Sequence, residues 1–372
     1  MSARVPAEVF PPGDFLREEL EAREWSQQEL ADILDRPPRL ISELIAGKRA
    51  VTPETAKGLA EAFGTSAEYW MSLESQYQLS KVKTENSSVA RKANLYSKFP
   101  VREMLRRGWI QASENLDVLE QRFCDFFNIP TLQDNPNLTH YAKKTDVALD
   151  VNALQLAWLF RVRLMADRQI ITTYKREKLL AAVESLRTLL LSAEEARHAP
   201  RILAEAGVRL VFVEAISGSK IDGACFWLSD DKPVIGMTLR YDRIDNFWFV
   251  LRHEIEHVLR EDGRHSSMPI VDLDLGSSDG ELEECEKLAN EAAQEFCVPT
   301  KQLNDFVSRV QPYFSEQKIT LFAQRIKVHP GIVVGQLQRK LDRHDFLRKH
   351  QVKVRGFVLP SADADGWGSL SS

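Results

Sequence analysis

Residues 253–257 read His-Glu-Ile-Glu-His inside a largely apolar run from Asn246 to Asp262. On an α-helix, residues four apart stand one turn above each other. His253 and His257 can therefore reach one ion while Glu254 points at an attacking water. Phe247, Phe249, Val250, Leu251, Ile255, Val258 and Leu259 mark this helix as largely buried. Two imidazoles and a carboxylate there need a partner that offsets their desolvation, and a tetrahedral Zn2+ ion is the partner this HExxH pattern implies.

A catalytic zinc takes three protein ligands and leaves its fourth position to water. The stretch Glu283–Pro299, EECEKLANEAAQEFCVP, is the candidate source of the third. Glu286 and Asn290 are four apart, so Glu286 could ligate while Asn290 hydrogen-bonds an imidazole from behind. Ala289, Ala292 and Ala293 would allow close approach to the HExxH helix; Glu283 and Glu284 are rival ligands, with Glu286 preferred because it shares a stripe with the small residues. With Glu254 as the catalytic general base, the reaction class is metal-assisted hydrolysis, for which peptide bonds are the usual substrate. Tyr241, His265 and His329 are candidates for stabilising an oxyanion.

These residues resemble the ImmA/IrrE family of metallopeptidases. The likeness runs through GVRLVFVEAI, IDGACFWLSDDKPVIGMTL, the HExxH helix and EKLANEAAQEFCVP to HPGIVVGQLQRK. The resemblance implies that Glu286, three before the alanine of the Ala-Asn pair, is the third metal ligand. It also implies a narrow, regulated endopeptidase that cuts helix-turn-helix repressors under stress or during mobile-element transfer. Leu288 and Ala292 depart from the family's frequent glutamate and phenylalanine at those positions.

The N-terminal stretch SQQELADILDRPPRLISELIAGKRAVTPETAKGLAEAFGTSAEYW resembles the Cro/C1-type (XRE) helix-turn-helix, and within it the HigA-like antitoxin branch. Leu30, Ala31, Leu34, Ile41, Leu44, Leu59 and Phe63 supply its core, which leaves the second helix of the pair to enter a major groove. Arg39 and Ser42 would then face bases, while Lys48 and Arg49, with Gln27 or Gln28, would hold phosphates of double-stranded operator DNA. The turn Asp35-Arg36-Pro37-Pro38 replaces the usual small-residue turn. A homodimer on a pseudo-palindrome is expected, and the HigA likeness implies a toxin partner.

Elements must position these groups. Ser26-Gln27-Gln28-Glu29 is a capping box, Thr52-Pro53 a second helix start, and Gly47 and Gly64 are stops. VNALQLAWLFRVRLMADRQ and KREKLLAAVESLRTLLLSAEEA repeat apolar residues at three and four, as amphipathic helices do. GVRLVFVEAI, GACFWLS and KPVIGMTLR read as strands. Helices follow over about 247–260, 280–297, 299–310 and 318–343, and PSADADGWGSLSS reads as a disordered tail. The expected fold is multidomain α+β. It comprises an all-α helix-turn-helix domain (1–78), a helical connecting domain (79–200), a small zincin-like α+β metallopeptidase domain (201–345) and a C-terminal extension (346–372).

The 372 residues exceed one core of ordinary size, and 44% hydrophobic with 28% charged content excludes disordered and fibrous classes. A net charge of −5 gives no global attraction for nucleic acid, so DNA contact must come from a local patch. Cys124, Cys225, Cys285 and Cys297 form no CxxC pair, no secretory signal is visible, and no apolar run is long enough to span a bilayer, so a cytoplasmic location without membrane contact is expected.

Two functions of different class fit. One is a DNA-binding regulator whose peptidase cleaves itself or a partner repressor or antitoxin; the other is a non-proteolytic antitoxin-like regulator whose zinc domain senses a ligand or partner. A free-standing general protease fits poorly with an attached DNA reader.

Overall fold

The computed structural model describes residues 9–82, 88–136, 152–264, 270–273, 280–343 and 347–368, and the chain divides into two compact units, 1–89 and 90–372. No described helix is long and apolar enough to cross a membrane.

The first unit holds α1 (Pro12–Arg23), α2 (Gln27–Ile33), α3 (Pro38–Ile45), α4 (Pro53–Phe63) and α5 (Ala67–Lys81). Ser26 Oγ accepts from Glu29 N at 3.2 Å and Glu29 Oε2 accepts from Ser26 N at 2.6 Å, which satisfies two donors at the start of α2. The Thr52 and Ser66 side chains cap α4 and α5 by accepting from Thr55 N and Tyr69 N, and Gly64 ends α4 with φ 69°. The apolar faces close on Leu16, Leu20, Leu30, Ala31, Ile41, Leu44, Leu59 and Phe63 around the fully buried Trp70. Leu34, expected in that core, packs against its edge and is half-buried at the turn.

The second unit runs α6 (Ser88–Lys98), α7 (Val101–Arg106), α8 (Leu116–Phe127), α9 (Ala153–Asp167), α10 (Arg176–Arg187), α11 (Ala199–Glu205), β1 (Arg209–Val213), β2 (Ile221–Trp227), β3 (Pro233–Met237) and α12 (Ile244–Arg260). Then come β4 (Ile270–Leu273), α13 (Gly280–Cys297), α14 (Thr300–Val310), α15 (Glu316–Ile326), α16 (Pro330–Leu341) and β5 (Asp363–Asp365). The sheet order is β4-β2-β3-β1-β5; β1 lies parallel to β3 and β5, and β2 antiparallel to β3 and β4.

Side chains alternate across a strand, and here both faces are covered. Leu210, Phe212, Cys225, Trp227, Ile235 and Met237 point to the α10–α12 side and its later helices, whereas Val211, Val213, Ala224, Phe226 and Val234 pack against α8 and α9. The middle region is therefore no separate domain. Its α9 forms one layer on the sheet, with Trp158 Nε1 donating to Val213 O at 2.9 Å, so the expected boundary at 200 falls inside one unit.

Two further expectations are corrected. The single helix over 318–343 is two, because Lys327 turns left-handed at φ 58° and Pro330 begins a new helix capped by His329. The tail is ordered through residue 368, since Asp363–Asp365 pairs with β1 as the strand β5. Asp365, 4% exposed, accepts from Trp109 Nε1 at 2.7 Å and pairs with Arg161, so its charge is compensated where composition suggested solvent.

Candidate metal centre and helix-turn-helix face

α12 is amphipathic in an unusual sense, being buried on nearly all sides, with His253, Glu254 and His257 each 0% exposed. α13 lies against it through Ala289 and Ala293, both fully buried, and this close approach delivers Glu286. His253 Nε2 and His257 Nε2 stand 3.0 Å apart, and the Glu286 carboxylate is 3.1 Å from the first and 3.5 Å from the second. One atom from each residue fits within a 4.8 Å cluster.

Zinc–nitrogen bonds of about 2.0–2.1 Å in a tetrahedron set two ligand nitrogens roughly 3.3 Å apart. The donor set and its spacing thus fit a zinc ion. Glu286 keeps 27% of its side chain exposed, so the cluster opens to solvent on the α13 side. Glu284 is exposed, and the side chain of Glu283 lies outside the described residues, as does His265.

Beyond the three donors, the expectation for Asn290 is corrected. Counting about 100° per residue from Glu286, Ala289 and Ala293 fall near −60° and −20° and face α12, while Asn290 falls near +40° and is exposed. The imidazole partner is Asp262 instead. Glu261 ends α12 in the left-handed region at φ 61°, which folds Asp262 back so that its Oδ2 lies 3.0 Å from His257 Nδ1. A carboxylate there accepts from Nδ1–H and favours the tautomer whose Nε2 lone pair faces His253 and Glu286.

Asp262 is itself anchored. Its carbonyl accepts from Trp227 Nε1 at 3.1 Å, Arg260 Nε lies 3.5 Å from Oδ2, and Cys285 Sγ donates to Oδ1 at 3.7 Å. Arg176 Nε donates to the Leu259 carbonyl at 3.2 Å at the same helix end. The only hint in the sequence was an acid five residues after the second histidine.

Glu254 faces β2. A Cβ at Gly223 would collide with the Glu254 carboxylate and with Val250, so only glycine leaves room for that carboxylate at this strand position. Cys225 lies nearby, and burial first, then the Glu254 charge, raises its thiol pKa well above the ordinary value. Tyr241 is 47% exposed, and His329 spends its Nδ1 accepting from Gly331 N at 3.0 Å.

In the first unit, α2 and α3 meet at a turn where Asp35 takes φ 49° and Pro38 opens α3. Ile41 and Leu44 point inward, while Arg39 and Ser42 are exposed, as are Gln27, Gln28, Lys48 and Arg49. Gln28 Nε2 donates to Asp32 at 3.0 Å. The loop after α3 is fixed from below, because the buried Glu74 accepts from Val51 N at 2.9 Å.

Residues 16–70 match HTH_3, the helix-turn-helix family. The "Uncharacterized HTH-type transcriptional regulator YddM" of Escherichia coli (strain K12) is 34% identical over 70 residues, 19% of this chain and 74% of that protein. The chain belongs to the HTH_3 helix-turn-helix family. "Virulence-associated protein I" of Dichelobacter nodosus, 33% identical over 79 residues, covers 21% of this HTH_3 chain and 73% of its own length. Among solved structures, PA4674 of Pseudomonas aeruginosa, solved in complex with its operator DNA, is 28% identical over 23% of this chain and 92% of its own, with a TM-score of 0.22.

Proposed function

We propose that the chain is a DNA-binding transcriptional regulator carrying a zinc-dependent endopeptidase in its second unit, and that cleavage of itself or of a partner repressor or antitoxin relieves repression. The convergence of His253, His257 and Glu286 beside the buried Glu254 carries the hydrolytic half of this reading. Membership of the helix-turn-helix family, together with the exposed row of Arg39, Ser42, Lys48 and Arg49, supports the other half. The sheet-and-helix frame around α12 and α13 is consistent with a zincin-like domain.

His253, His257 and Glu286 would hold a zinc ion, which would act as a Lewis acid toward the scissile carbonyl and lower the pKa of a water toward neutrality. Glu254 accepts a proton from the attacking water and delivers it to the amine as the C–N bond breaks. Asp262 holds the His257 ring, and the apolar walls of α12 keep bulk water from Glu254. On DNA, Arg39 and Ser42 address base edges while Lys48, Arg49 and Gln27 hold phosphates, with a homodimer spanning two half-sites.

The test is zinc per chain together with cleavage, for wild type and Glu254→Gln, with a helix-turn-helix or antitoxin protein encoded at the same locus and intact mass as the readout. Zinc in both with fragments only from wild type is expected. Wild-type protein that holds no zinc, or that holds it and cuts nothing, removes the peptidase from the proposal.

A further inference from the structure

Two cations expected to touch DNA share one carboxylate. Arg39 Nε donates to Glu43 Oε1 at 2.7 Å, and Arg49 Nη1 lies 3.5 Å from Glu43 Oε2. The backbone repeats the arrangement: Lys48 N and Arg49 N both donate to the Glu43 carbonyl, at 2.9 and 3.2 Å. Glu43 therefore organises the recognition helix and the loop after it from one position. Its side chain is 27% exposed, against 87% for Arg39, so the glutamate lies under the arginine rather than beside it in solvent.

Helix stability does not explain the pair. An arginine in the first turn and a glutamate in the last oppose the helix dipole, and four-residue ion pairs are weaker in this direction than with the acid first. What the pair does is geometric. With Nε engaged on the inner side, the two terminal amino groups of Arg39 project outward as a fork, and that fork matches the O6 and N7 acceptors of guanine in the major groove.

We propose that Glu43 is a positioning residue that presets Arg39 to read a guanine in each half-site and withholds Arg39 and Arg49 from indiscriminate phosphate binding. The inference rests on the DNA-binding reading above. Neighbouring Arg39 and its hydrogen bond also hold the Glu43 carboxyl below the usual carboxylate range, so the buttress stays charged across physiological pH.

The experiment is selection from a pool of random DNA duplexes by the full chain, followed by affinity against salt on the selected site and on an unrelated duplex. Wild type should select a guanine that Arg39→Lys loses, with discrimination at that base falling about tenfold or more. Glu43→Gln keeps an acceptor for Nε and should retain the guanine. Glu43→Ala should lose most of that preference while binding unrelated DNA more tightly, its logarithmic salt slope steeper by about one to two. Glu43→Ala selecting the same guanine as strongly as wild type overturns the proposal. So does a selected cytosine that Glu43→Gln loses, which would make Glu43 the reader. No enrichment of any sequence by wild type, with no binding at low salt, sinks the DNA-binding reading itself.

Discussion

At the His253–His257–Glu286 cluster, His253, Glu254 and His257 are wholly buried, with Gly223 and Trp227 of β2 and Asp262 just after α12 packed around them. On α3, Arg39 and Ser42 stand in solvent, and Arg39 is oriented by one residue of its own helix. The difference shows what each chemistry requires. Two imidazoles and a carboxylate taken out of water must have partners already in place, because their desolvation is otherwise costly. A DNA-reading face can stay hydrated and be completed by its ligand.

The comparison can be broken most severely at Gly223. Gly223→Ala should push the Glu254 carboxylate away and cut peptide cleavage by about 100-fold, the low end of what a general base contributes, with zinc per chain unchanged. A fall in zinc instead would mean that β2 supports the ligands rather than the base.

Next in size is Asp262→Ala, which removes the carboxylate behind His257 and should weaken zinc affinity by about 10- to 100-fold, read by competition with a chelator. Unchanged affinity would give the imidazole another orienting group. In the first unit, Lys48→Ala should weaken operator and unrelated DNA alike by several-fold and reduce the logarithmic salt slope by about one. Sequence-dependent loss would move Lys48 from phosphate to base.

The smallest effect is a pH term at His329, which caps α16 through Nδ1. Burial, and then His350, lower its pKa, so the unfolded chain takes the proton first as pH falls. The stabilisation is complete above about pH 6.5 and is lost progressively below it. The loss should approach the roughly 1 kcal/mol of a helix cap, about 2 °C in thermal midpoint. His329→Asn keeps the cap and should flatten that part of the profile.

What could be read in the sequence follows the same division. The helix period placed His253, Glu254 and His257 on one side of α12, and the alanines of α13 pointed to Glu286, because both rest on local spacing. Asp262 was not legible, since its reach depends on a left-handed residue at Glu261 that reverses the chain. Asn290 failed because four-residue spacing gives a common face only approximately, and α13 turns that residue away from α12. The helix-turn-helix core was legible, with Leu34 at its edge, yet nothing in the sequence marks the Arg39–Glu43 pair, because an exposed ion pair has no hydrophobic periodicity. The middle region looked separate because its apolar faces are covered by strands that lie far along the chain.

The strand β5 carries one more implication, for biosynthesis. β1 is made at residues 209–213 but gains its outer neighbour only when residues 363–365 have been synthesised. At ribosomal speeds of about 5–20 residues per second, the intervening stretch of roughly 150 residues takes on the order of ten seconds to appear. During that interval the nascent chain carries an open strand edge, and Arg161 waits for Asp365. The first unit, by contrast, is complete within 89 residues and depends on no such late strand.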